Sequence, residues 1–288
     1  MKLLLLDGWF HQKNIDALDK YPNVEIKRCA SLEYVNNLSE YDVVYSPCNP
    51  IDIKKYPNTK FIFGPHFSVF PDKKILNIKG GNSVYNQLSS WAVESWKNNS
   101  ITDGLRMVEL PFGIDTHRFN SIKPINERTN VILYYKHRAP SELEFIKNTL
   151  VSNNISFRIF SYDSRYNEYD YMNYLQNTKY CIWLDAHESQ GFALQEALSC
   201  DVPLLVWNIK SMNQEYGSSY DVIPATTIPY WDERCGEYFY EEHEFEKTFK
   251  LFISKLETYK PREFIIEKLS LDKCEEKLID FVTNKFVL

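Results

Sequence analysis

Residues Tyr180 to Trp207 read Y-C-I-W-L-D-A-H-E-S-Q-G-F-A-L-Q-E-A-L-S-C-D-V-P-L-L-V-W. The run Tyr180 to Leu184 predicts a buried strand, because it is short, apolar and does not alternate with polar residues. Asp185 to Gln190 predicts a polar turn, and Gly191 to Leu198 has helix-forming composition. Asp201-Val202-Pro203 ends that helix, since proline lacks the amide donor and clashes with the preceding turn. Leu204 to Trp207 predicts the next strand. Strand, loop, helix and strand in this order form the crossover of a parallel sheet.

Such sheets bind ligands at the carboxyl ends of their strands. Glu188 falls in the loop and Glu196 in the helix, with seven residues between them. Between the two carboxylates lies the helix N-terminus, with the amides of Gly191, Phe192 and Ala193. Amides without intrahelical acceptors, together with the helix dipole, suit a phosphate group. Gly191 has no side chain to obstruct a close approach. Carboxylates are strong acceptors for hydroxyl donors. Two of them flanking an anion site suit a diphosphate that carries a hydroxylated sugar at either end.

The run H-E-S-Q-G-F-A-L-Q-E-A-L-S-C-D-V-P-L-L, His187 to Leu205, resembles the E-x7-E signature of retaining glycosyltransferases of the GT-B fold, family 4 and its relatives. The resemblance implies an α/β fold of two Rossmann-like domains facing a central cleft. It gives Glu188 to the donor sugar and Glu196 to the ribose of the nucleotide. The segment Pro111-Phe112-Gly113-Ile114-Asp115-Thr116-His117-Arg118-Phe119 resembles a second marker of that family, P-x-G-[IV]-D-x-x-x-F, which ends the first domain at the cleft. There Asp115 is expected to cap a short turn.

Bulk properties set the frame. A chain of 288 residues holds one large domain or two of about 120 to 150 residues each. A net charge of −6 excludes a general nucleic-acid surface. The six cysteines, Cys29, Cys48, Cys181, Cys200, Cys235 and Cys274, include no C-x-x-C pair. Neither a zinc cluster nor a disulfide framework is expected, and reduced thiols in the cytoplasm fit best. The leading M-K-L-L-L-L-D-G has too short an apolar run for a signal peptide and predicts a first strand. No Asp-x-Asp motif supports a metal-dependent GT-A enzyme, and no G-x-G-x-x-G supports a dinucleotide oxidoreductase.

Taken in order, the chain predicts strands at Leu3 to Leu6, Val24 to Arg28, Val43 to Tyr45 and Phe61 to Phe63, with helices at Ile15 to Lys20 and Leu32 to Leu38. Gly8, in the turn after the first strand, is a candidate for close approach of a ligand or for plain turn punctuation. His66 follows Gly64-Pro65 at a strand's carboxyl end. The resemblance puts a histidine there, near the donor sugar. Met107 to Leu110 is expected as a strand, and Ser121 to Asn130 as a polar linker.

A second sheet is expected to begin at Val131 to Tyr135, followed by Lys136-His137-Arg138. In the family a basic residue ends this strand, and a lysine about five positions later completes the diphosphate grip. Lys136 matches the first, and Arg138 is the expected substitute for the second, because Ser141 and Glu142 occupy the later region. Leu143 to Val151 predicts a helix and Phe157 to Phe160 a strand. The loop after that strand carries Tyr162, where the family receives the nucleotide base. Tyr166 to Gln176, Phe245 to Leu256 and Phe264 to Val287 predict further helices.

The expected organisation is therefore an acceptor-side domain over residues 1–120, a nucleotide-sugar domain over 125–260, and terminal helices over 261–288 packing back on the first domain. The expected activity is transfer of a hexose, with retention, from a nucleotide-diphosphate sugar to a glycan or glycoprotein hydroxyl. GDP-mannose is the first expected donor and a UDP-hexose the second. His66, Glu188 and Lys136 form the expected catalytic group. Gly8, Arg138, Tyr162, Gly191, Phe192, Ala193 and Glu196 form the donor-binding group. No metal or other cofactor is expected to be required, and a second copy of the chain is a candidate partner. The alternatives are a non-catalytic sugar-nucleotide or glycan-binding protein on the same fold, and a sugar-nucleotide epimerase.

Overall fold

A computed structural model describes residues 1–286 of the chain. Two compact units are present. One comprises Met1–Gly113 together with the segment from Leu269 onward, and the other comprises Ile114–Lys268.

The first unit contains β1 (Lys2–Leu6), α1 (Gln12–Leu18), β2 (Glu25–Cys29), β3 (Val43–Ser46), β4 (Phe61–Phe63), β5 (Ser83–Gln87), α2 (Ser90–Lys97) and β6 (Met107–Glu109). Its sheet has the order β2-β1-β3-β4-β5-β6, with every neighbouring pair parallel. Leu3 to Leu6 are all buried, as a strand covered on both faces requires, and this explains their unbroken apolar run. The His11 imidazole caps α1, its Nδ1 accepting from the Lys13 amide at 3.2 Å.

The second unit contains β7 (Asn130–Lys136), α3 (Pro140–Ser152), β8 (Arg158–Ser161), α4 (Glu168–Leu175), β9 (Thr178–Asp185), α5 (Phe192–Ser199), β10 (Leu204–Trp207), β11 (Gly236–Phe239), α6 (Phe245–Ser254) and α7 (Pro261–Lys268). Its parallel sheet has the order β11-β10-β9-β7-β8. On one face Leu133, Ile182 and Leu205 pack with Ile146 and Leu150 of α3 and Phe245 and Phe252 of α6. Fully burying side chains of this kind contributes about 1.5–3 kcal/mol each. Tyr134 stacks on Trp183 with centroids 3.8 Å apart, and Tyr171 of α4 lies against Tyr134 at 6.2 Å.

Two arginines tie the second unit's chain entry and exit to this sheet. Arg128 donates to the carbonyls of Thr178, Cys200 and Asp201, and Arg262 of α7 donates to those of Ser199, Phe119 and Thr116. The last helix, α8 (Leu271–Asp280), belongs to the first unit. Its Glu275 accepts from the Asn23 amide at 2.6 Å.

Several expected elements differ from those observed. Leu32 to Leu38 is not a helix. It forms two single 3-10 turns, Leu32–Tyr34 and Leu38–Glu40, separated by extended backbone at Val35 and Asn37. The helix expected from Phe264 to Val287 is broken after Lys268, because Ser270 caps a new helix through a bond from the Lys273 amide. Its expected end, Val287, lies outside the described residues. Strands β5 and β11 went unpredicted, since Ser83-Val84-Tyr85-Asn86-Gln87 and Gly236-Glu237-Tyr238-Phe239 are short and partly polar. Among the described residues no helix is long and apolar enough to cross a membrane.

Candidate functional site

In the second unit β8 and β10 extend the sheet in opposite directions from the central pair β7 and β9. That reversal is a topological switch point, where loops diverge and leave a crevice at the strands' carboxyl ends. The register pairs Lys136 with Asp185 at that end. Lys136 forms an ion pair with Glu188 from the following loop, and its Nζ lies 3.9 Å from Asp185 Oδ1. The Glu188 amide donates to the Thr226 carbonyl at 3.1 Å, which fixes the loop.

The electrostatics of this cluster are unequal. Burial works against the Lys136 charge, but the acids Asp185 and Glu188 outweigh it and hold the lysine protonated. Burial also opposes the Glu188 charge. Lys136 and a hydrogen bond with Asp185 prevail, and the Glu188 carboxyl lies below its ordinary range. Asp185 goes the other way: burial pushes it well above the ordinary carboxylate range despite Lys136. The cluster thus sets one cation against two acids whose proton affinities are shifted in opposite directions. Tyr162, half exposed at the end of β8, stands with its ring 4.9 Å from Lys136 Nζ, within cation–π reach.

Helix α5 begins beside this cluster. Gly191 is its N-cap at φ 81°, ψ 53°, a left-handed conformation that side chains other than glycine adopt at a cost. Gln195 Nε2 donates back to the Gln190 carbonyl at 2.6 Å, holding the turn that feeds the helix. Phe192 and Ala193 occupy the first turn, and Tyr171 donates its hydroxyl to the Ala193 carbonyl at 2.9 Å. Glu196, one turn further on, is almost wholly buried. Lys136, Glu188, Tyr162 and the start of α5 are thus brought together within one unit.

Arg138 is placed differently from its expected role. Its guanidinium is 1% exposed, pairs with Glu142 at 2.6 Å, and donates to the carbonyls of Asp185 and Trp207. It ties β9, β10 and α3 together, and its donors are committed to protein rather than offered to a diphosphate. The residue that sequence reasoning overlooked is Asp185. The signal for it was an acid ending an otherwise apolar strand, where the Lys136 register predicts a partner.

The first unit has its own cluster at the carboxyl ends of β1 and β4. His66 lies against the exposed Trp9 ring, centroids 4.4 Å apart, and its Nε2 is 3.2 Å from Asn14 Nδ2. Burial, assisted by His11, lowers the His66 pKa to about 4, so the imidazole is neutral near pH 7. Gly8 is a packing glycine, since a Cβ there would lie 2.5 Å from Cys48 Sγ. Gly113 is another, its amide donating to the Tyr21 hydroxyl and its α-carbon packed on the backbone of Leu271. Asp115 caps the turn that follows, accepting from the His117 and Arg118 amides.

No protein-family model and no curated protein sequence matches the chain. Solved structures do. Over 99% of its length it resembles a sucrose-phosphate synthase from Thermosynechococcus elongatus, covering 99% of that chain at 10% identity and a TM-score of 0.55. It also resembles WaaG, described as a glycosyltransferase involved in lipopolysaccharide biosynthesis, over 99% of this chain and 100% of that one, at 13% identity and a TM-score of 0.50. Against TarM the identity is 17% and the TM-score 0.51, with 84% of this chain and 56% of that chain covered. The chain therefore spans little more than half the length of TarM. The likeness is one of fold, and with its two parallel α/β units the chain has the GT-B fold.

Proposed function

We propose that this protein is a retaining glycosyltransferase that moves a hexose from a nucleotide-diphosphate sugar to a glycan or other hydroxyl acceptor. One observation supports it above the others: the β7–β9 register that sets Lys136 and Glu188 together beside the N-terminus of α5. Lys136 and the first-turn amides would stabilise negative charge on the departing diphosphate. Glu188 would orient the sugar hydroxyls and Glu196 the ribose, acting through position. Tyr162 would stack on the base. His66 is the first unit's proposed contribution to catalysis, as a neutral imidazole. The reading requires no metal, takes GDP-mannose as the first donor and a UDP-hexose as the second, and allows a homodimer.

Arg138 supports a second reading. Its burial removes one of two expected phosphate cations, which favours a sugar-nucleotide binder without turnover. Isothermal calorimetry against GDP-mannose, UDP-glucose and the bare nucleotides separates these. Selective heat with one sugar nucleotide, lost in Glu196→Ala and accompanied by donor hydrolysis or transfer, supports the transferase. Heat without turnover supports the binder, and no heat with any ligand rejects both.

A further inference from the structure

Asn14 lies in the first turn of α1 with its side chain 0% exposed. Its Oδ1 has no hydrogen-bond partner among the described residues. A buried carbonyl left unpaired is unfavourable, so packing alone would prefer an apolar side chain at this position. What the amide does gain is one contact in the first unit: its Nδ2 lies 3.2 Å from His66 Nε2. The ring it meets is held in place. The His66 amide donates to the Pro47 carbonyl at 2.9 Å, and Trp9 and Phe10 stand against the imidazole with centroids 4.4 and 5.6 Å away.

Two nitrogens at this separation share one proton. An amide nitrogen only donates, so Nε2 accepts and carries no proton of its own. In a neutral imidazole the proton then sits on Nδ1. That atom has no hydrogen-bond partner among the described residues, and His66 is only half-buried. An imidazolium would set one N–H against another across the same contact. We propose that Asn14 is a positioning residue that fixes His66 as its Nδ1–H tautomer, so that the imidazole donates a hydrogen bond to an oxygen of a bound sugar and does not act as a general base. With Nε2 occupied by the amide, the ring keeps no free lone pair to receive a proton. The role in transfer rests on the sugar-nucleotide reading, whereas the tautomer does not.

Two measurements test this. The first needs no ligand: two-bond proton–nitrogen NMR spectra of the imidazoles at pH 7, with His66 assigned by its loss in His66→Asn. A protonated Nδ1 and an unprotonated Nε2 in the wild type support the proposal. A proton on Nε2, or an even mixture of tautomers, overturns it. Asn14→Asp puts an acceptor opposite Nε2, so the proton should move there and the ring should titrate about one unit or more higher. Asn14→Leu should lose the tautomer preference, and an unchanged preference in that variant overturns the proposal. The second is turnover of GDP-mannose or UDP-glucose, whichever reacts. Asn14→Asp should lower kcat about tenfold with little change in KM, the worth of one hydrogen bond in the transition state. Full turnover with the tautomer inverted overturns the proposal. Absence of turnover with every sugar nucleotide rejects the transferase reading instead, and the wild-type tautomer still decides what Asn14 does to His66.

Discussion

Lys136 and Asp185 end neighbouring strands in exact register, and the lysine nitrogen 3.9 Å from Asp185 Oδ1 turns away to pair with Glu188. One cation thus serves the buried Asp185 and the half-buried Glu188. Its removal should be costly. Lys136→Met leaves the half-buried Glu188 without its counter-charge; a fully buried pair would lose about 3–5 kcal/mol, and this partly exposed one should lose up to about 3 kcal/mol. With the lysine gone the Glu188 pKa rises, so stability from this group is present at low pH and lost as pH increases. Urea unfolding at pH 5 and pH 8 should show the larger loss at pH 8. Equal losses at both would contradict this account.

The two glutamates should fail in different ways. Glu196→Ala should weaken nucleotide binding about 10- to 100-fold, the worth of one or two hydrogen bonds to a charged acceptor. Glu188→Ala should leave the affinity of the bare nucleotide within about threefold and lower transfer about 100-fold, because its expected partner is the sugar. Calorimetry with the nucleotide beside a turnover assay separates the two, and a matching pair of defects would count against the assignment.

Two glycines in the second unit should respond differently to alanine. Gly191 has φ 81°, but an added Cβ meets nothing nearer than 3.6 Å, so Gly191→Ala should cost only the left-handed strain of about 1–2 kcal/mol. Gly236 has φ 135°, and an added Cβ would sit 2.0 Å from the Leu204 carbonyl oxygen in the β10–β11 pair. Gly236→Ala should cost about 3 kcal/mol or more. Denaturant midpoints of the two variants give the comparison.

His66 supplies a pH signature. Its pKa is lowered from 6.5 to about 4, chiefly by burial and then by His11, so the unfolded chain takes up a proton before the folded one does. Stability from this group is fully present above about pH 6.5 and is lost as pH falls towards 4, by on the order of 3 kcal/mol. His66→Asn should flatten that part of the stability profile, and histidine NMR should show one ring titrating near 4. A ring that titrates near 6.5 would remove the basis for a neutral imidazole.

Much of this architecture was legible in the chain. The parallel alternation followed from short unbroken apolar runs such as Leu3 to Leu6 and Tyr180 to Leu184, which only a sheet covered on both faces accommodates. The turn at Gly191 followed from a glycine between a polar loop and a helix-forming segment. Local propensity and periodicity carry that information, and they act within a few residues. What the sequence could not state was which side chains meet. Arg138 reads as a loop cation, but the β9 and β10 carbonyls and Glu142 draw it inside. Asp185 reads as the first residue of a turn, and only the register with Lys136 makes it a buried acid. Leu32 to Leu38 has helical spacing, yet its backbone alternates between turns and extended residues instead. Burial, pairing and protonation depend on residues far apart in the chain, whose approach is set by strand order and register, and for these the tertiary structure was decisive.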